Sequence, residues 1–178
     1  MKVRPFILLL TILSIAPVAS ADKWVLPKVE TYRQGDYEFR TDPAGGTERT
    51  AVGSLSRLGG QGAKVLLWKR DLVNVPHKVR IIQQGKYVLT IDTYANLGYG
   101  HALVVYGEKG KLLVDLKMED FLSKQEITKH VYQTESSRHW YSDKHKFVFA
   151  DKEVAVELSW GKKFAVSLET GKILPQKK

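Results

Sequence analysis

The chain has no cysteine among its 178 residues. That excludes a disulfide framework, a thiolate metal site, a cysteine nucleophile and a lipid-modified cysteine anchor. No N-x-[ST] sequon occurs, because Asn74 and Asn96 are followed by Val75-Pro76 and Leu97-Gly98. Helical periodicity is missing as well. No segment sustains apolar residues at a 3.6-residue spacing, which excludes a helical bundle. His77, His101, His130, His139 and His145 form neither an H-x-H pair nor an H-E-x-x-H helix face. There is no Walker loop, no G-x-S-x-G and no G-x-G-x-x-G opening a helix. The expectation is a protein without metal or cofactor.

Only one apolar run is long, residues 6–16, and its eleven residues fall short of the roughly 20 that span a bilayer. Lys2 and Arg4 precede it, and Pro17 with the small residues Val18-Ala19-Ser20-Ala21 follows. A positive n-region, a short h-region and an A-x-A ending form a secretory signal peptide over 1–21, with cleavage expected after Ala21. The expected location is periplasmic or secreted, with no transmembrane segment after cleavage. Losing 21 of 178 residues leaves 157. Losing Lys2 and Arg4 leaves 26 of the 28 basic side chains against 19 acidic ones, a formal charge of +7. A chain of that length buries enough surface to dispense with disulfides, and 43% apolar residues suffice for a core.

What is present reads as strands and turns. Residues 22–62 form an irregular N-terminal segment. Trp24-Val25-Leu26 is briefly apolar, 36–41 and 51–58 are short strands, and loops occur at Pro43-Ala44-Gly45-Gly46-Thr47 and Gly59-Gly60-Gln61-Gly62. From residue 63 to 174 the pattern sharpens into a β-repeat domain, and 175–178 is a basic tail. Strands are expected at 65–68, 78–82, 87–92, 101–106, 111–116, 146–149, 154–160 and 164–168, with one or two helical turns over 116–122. Tyr87, Leu89 and Ile91 share one face at period two. Residues 103–113 align without gaps on 164–174, an offset of 61, through a strand, an E-x-G-K turn and an apolar return. A propeller blade is such a meander, but two units cannot close a ring that needs at least four. The expected fold is all-β: antiparallel sheets of propeller-like hairpin repeats, arranged as an incomplete propeller or a sandwich.

The segments Gly85-Lys86-Tyr87-Val88-Leu89-Thr90-Ile91-Asp92, Leu97-Gly98-Tyr99-Gly100, Val104-Val105-Tyr106, Gly110-Lys111-Leu112, Met118-Glu119-Asp120-Phe121-Leu122 and Ser136-Ser137-Arg138-His139-Trp140 stand in that order. Over about 65–174 the chain resembles a group of exported bacterial proteins with propeller-like sheet repeats. The group's pattern is G-x-Y-V-x-T-x-D, G-Y-G, V-V-V-Y-x-x-x-G-K-L and S-S-x-x-W. The resemblance implies that fold and an exported location, and it carries over no activity.

Recognition is expected in loops at the sheet ends, where a rigid scaffold presents variable residues. Asp92, Tyr94, Tyr99, His101, Ser137, His139 and Trp140 combine aromatics with hydrogen-bonding groups there and are the candidate ligand-binding set. The alternative for Tyr94, Tyr99 and Trp140 is that they cap the core. Lys and Arg recur in runs of at most two, interleaved with Asp and Glu. That dispersal argues for a solvated surface and protected edge strands more than for a nucleic-acid groove, and no specific nucleic-acid motif occurs; the partner left open is an anionic cell-envelope polymer or a protein. The expected function is a non-catalytic binding or cell-envelope interaction module. The alternative is a small periplasmic hydrolase using Asp92, His101 and Ser136 or Ser137, since triads are defined by geometry and not by order.

Overall fold

The computed structural model describes residues 27–43 and 50–175. The segment read as a signal peptide, Trp24-Val25-Leu26, the loop beyond Pro43 and the tail beyond Pro175 lie outside the described residues. Three antiparallel meanders follow one another along the chain. The first sheet has the order β1 (Glu30–Gln34), β2 (Tyr37–Asp42), β3 (Val52–Leu58), β4 (Lys64–Asp71). The central sheet has the order β5 (Pro76–Ile82), β6 (Tyr87–Thr93), β7 (Leu103–Tyr106), β8 (Leu112–Leu116). Two short helices, α1 (Met118–Phe121) and α2 (Lys124–His130), lead to a ribbon of β9 (Tyr132–Gln133) and β10 (Arg138–His139). The third sheet is β11 (Lys146–Phe149), β12 (Glu153–Glu157) and β13 (Lys163–Ser167), extended by a bridge from Val166 to Ile173. Strand makes up 49% and helix 12%, so the antiparallel β class holds.

The packing explains the sequence pattern. Residues 102–106 of the central sheet, Ala102-Leu103-Val104-Val105-Tyr106, are all fully buried, which requires an unbroken apolar run because both faces are covered. Leu103 and Val105 join Tyr87, Leu89 and Ile91 in a core shared with α1, α2 and the third sheet. Val104 and Tyr106 join Val88 in a second core with Phe39, Leu55 and Trp68 of the first sheet. In the third sheet burial alternates instead: Val154 and Val156 face inward, while Glu153 and Ala155 are exposed. One face packed and one solvated is the period-two signature of an outer layer.

Several expectations change. Within the segment read as irregular over 22–62, the short strands expected at 36–41 and 51–58 form as β2 and β3, and β1, which was not expected, joins them in the first sheet. β3 pairs with β4 from Val52↔Asp71 to Leu58↔Lys64, so a division at 62/63 runs through a hairpin. The strand expected over 154–160 ends at Glu157, because Leu158 and Gly161 close a turn with Gly161 at φ +91°. Helix α2 was not anticipated, although Ser123 and Glu126 form a reciprocal capping box at its start. The hairpins separated by 61 residues both form, β7–β8 directly and β13 through its return to Ile173. Leu103 and Val105 and their counterparts Phe164 and Val166 all face the same core.

Candidate functional site

Asp92 sits at the end of β6 with φ +57°, in the left-handed region that Asp tolerates better than most residues. Its backbone N–H donates to Ala102 O at 3.0 Å, and its carbonyl accepts from Asn74 Nδ2 at 3.0 Å. The carboxylate turns into the protein, only 2% exposed. Oδ1 accepts from Gly98 N at 3.0 Å and from Trp140 Nε1 at 2.7 Å. One side chain therefore ties the central sheet to the 93–101 loop and to the segment after β10. Burial is the largest influence on its acidity and pushes the pKa up to about 6, against the opposing pull of Trp140, Gly98 and the nearby Arg138 charge.

Arg138 is the second tie. Its N–H donates to Leu97 O at 2.9 Å, and its guanidinium donates to Gly98 O and to Glu119 Oε1. That bond to Arg138 holds the Glu119 carboxyl below the usual range. The guanidinium carbon also lies 4.0 Å from the centroid of the Tyr99 ring. Gly98, at φ +71°, has no room for a side chain, because a Cβ would run into the Arg138 carbonyl. Trp140 packs edge-on against Phe121 at 5.0 Å, and its carbonyl receives His145 Nε2 at 2.9 Å. Ser159 N donates to His145 Nδ1 at 3.0 Å, so only the neutral tautomer with hydrogen on Nε2 satisfies both bonds. Burial correspondingly lowers the His145 pKa.

These ties separate the sequence candidates. Asp92 and Trp140 come together but are both buried. Tyr99 does not cap the core; it is 39% exposed and lies under Arg138. Tyr94 packs on the opposite core, with Phe39 and Trp68. His139 is exposed on β10, opposite Tyr132 of β9, and the two rings are 5.7 Å apart. Ser137 closes the turn of this ribbon, its N–H donating to Thr134 Oγ1 at 3.0 Å. His101 pairs with Asp115, Nδ1 to Oδ1 at 2.8 Å, and not with Asp92. Neither Ser136 nor Ser137 bonds to His101 or Asp92: His101 bonds to Asp115, Ser137 to Thr134, and Asp92 to Gly98 and Trp140.

Two residues of this region escaped the sequence reading. Arg138 lay inside the Ser136-Ser137-Arg138-His139-Trp140 segment, and its position between two candidates was the available signal. Tyr132 had none, yet it is 71% exposed, the most open large ring among the described residues. No cluster of three or more His, Cys, Asp or Glu that could hold a metal ion occurs among the described residues. A hollow of about 620 Å³ lies elsewhere, on the outer face of the third sheet, lined by Val148, Ala155, Ala165, Leu174 and Pro175. No helix among the described residues is long and apolar enough to cross a membrane. No family model matches the chain, and comparison with curated proteins and with solved structures likewise finds no match.

Proposed function

We propose that the mature protein is an exported, non-catalytic binding module of the cell envelope that recognises an anionic glycan polymer through Tyr99, Tyr132 and His139. The carrying observation is the mounting of these rings. Arg138 stacks on the Tyr99 ring, and Asp92, Arg138 and Trp140 bind the Tyr99 loop to the ribbon, so exposed aromatic surface stands on a rigid base. Exposed tyrosines with two rotatable angles offer flat apolar area at low entropic cost, which suits stacking on sugar faces. The basic excess of the chain favours anionic over neutral polymers. Export rests on the A-S-A ending before Asp22.

For the architecture we favour a layered sandwich over an incomplete propeller. A rotational repeat would point equivalent residues of successive sheets the same way round. Leu103 and Val105 point instead toward Phe164 and Val166, which supports a face-to-face arrangement.

The test is calorimetric titration of the chain beginning at Asp22 with purified teichoic acid and with neutral peptidoglycan fragments. Binding to the anionic polymer is expected, at least tenfold weaker for Tyr132→Ala and unaltered in the melting temperature. Equal binding by Tyr132→Ala and His139→Ala variants would remove this surface from the reading.

A further inference from the structure

The geometry points to a second interaction surface: the β4 edge of the first sheet docks on an anionic lipid leaflet. β4 is the terminal strand of its sheet, so among the described residues one backbone edge has no strand beside it. Val65, Leu66 and Leu67 are consecutive on it, 58%, 57% and 43% exposed. A one-residue register shift opposite Leu55 and Ser56 leaves Leu67 out of the ladder, so the three side chains do not share a packed face. Adjacent exposed aliphatics on a free edge are costly in water and mark a contact surface.

The surrounding charge chooses the occupant. Lys64, Lys69 and Arg70 flank the aliphatics on β4 itself, and Arg57 pairs with Val65 from β3. The turn between β7 and β8 adds exposed Lys109 and Lys111, because Gly110 packs against Trp68 and Arg70. Acidic groups close by include Asp71, Glu108, Asp36, whose carbonyl accepts from Leu58 N beside Lys64, and Glu38, which is already bonded by Arg33 and Lys64. A second copy pairing β4 with β4 would bring two cationic edges together, three basic residues against one acidic on each strand. An anionic leaflet meets both features, taking the aliphatics at the acyl boundary while its headgroups neutralise the lysines.

This surface is separate from the tyrosine site. Val65 pairs with Arg57 at the end of the first sheet where Tyr37 lies against Gly85 of the β5–β6 turn, whereas the Tyr99 loop leaves the other end of β6.

Co-sedimentation of the chain beginning at Asp22 with vesicles tests it. Binding is expected to phosphatidylcholine vesicles containing phosphatidylglycerol and not to phosphatidylcholine alone, and it should weaken with added salt. The double variant Leu66→Ser, Leu67→Ser should lose binding with an unchanged melting curve, because both residues are exposed. Lys69→Gln and Lys111→Gln should each weaken binding by roughly fivefold. Tyr132→Ala should bind vesicles like the parent, which separates this result from the polymer test. Failure to sediment with anionic vesicles overturns the inference. So does undiminished binding by the serine variant, or a dimer in sedimentation velocity that the serine variant abolishes.

Discussion

Replacing Asp92 by Asn changes one charge in a site where the rest of the geometry survives. Asn has the same size and tolerates the left-handed backbone. Its carbonyl oxygen can still accept from Gly98 N and Trp140 Nε1. In the folded protein burial raises the Asp92 pKa from 3.8 to about 6. Between those values the folded state holds the proton and the unfolded chain has released it. Asp92 therefore makes the protein progressively less stable as pH rises from about 4 to about 6, with no further change above. A shift of about two units, at about 1.4 kcal/mol each, amounts to roughly 3 kcal/mol. Urea unfolding of both proteins from pH 4 to pH 7.5 isolates this contribution. The stability of Asp92→Asn relative to the parent should rise by roughly 3 kcal/mol across that range, whatever the substitution does at pH 4. A flat difference would show that Trp140, Gly98 and Arg138 hold the carboxylate at its ordinary acidity. A difference of opposite sign would show that they overcompensate for burial.

Two further predictions follow from the same region. Gly98→Ala should cost well over the roughly 1 kcal/mol of a positive-φ glycine replacement, because the new methyl meets the Arg138 carbonyl, whereas Gly100→Ala at φ +69° faces open space and should cost about that 1 kcal/mol. Equal melting temperatures for the two variants would contradict the clash. His145 has a lowered folded pKa, so its stabilising contribution is complete above pH 6.5 and is lost as pH falls below it. His145→Gln, which keeps one donor and one acceptor, should flatten that part of the acid unfolding curve, and an unchanged curve would assign the acid sensitivity elsewhere.

Strands were legible where burial is simple. The all-apolar run at 102–106 and the alternation of Glu153-Val154-Ala155-Val156 gave opposite patterns that match a middle layer and an outer one. β1 was not legible, because Glu30-Thr31-Tyr32-Arg33-Gln34 is a polar edge strand whose pairing with β2 is set by the hairpin and not by hydrophobicity. The site was legible only as a set of names. Asp92 and Trp140 are 48 residues apart, and nothing local marks them as bonded. For Tyr99 the sequence left two readings open, a recognition ring or a cap on the core. Whether a loop ring turns inward depends on what the distant chain supplies, and here Arg138 supplies an outward partner.

A middle layer with no outside has a consequence for how the molecule is made. A nascent chain that has emerged only through β8 can pair the central sheet and cover one of its faces with the first. The other face, with Tyr87, Leu89, Ile91, Leu103 and Val105, waits for residues 118–168. Until Val154, Val156, Phe164 and Val166 arrive, that half-built chain exposes a flat apolar surface suited to sticking to another like it. Truncations between β8 and β11 should accumulate as aggregates and not as smaller folded domains, and the third sheet is the one that keeps the first two soluble.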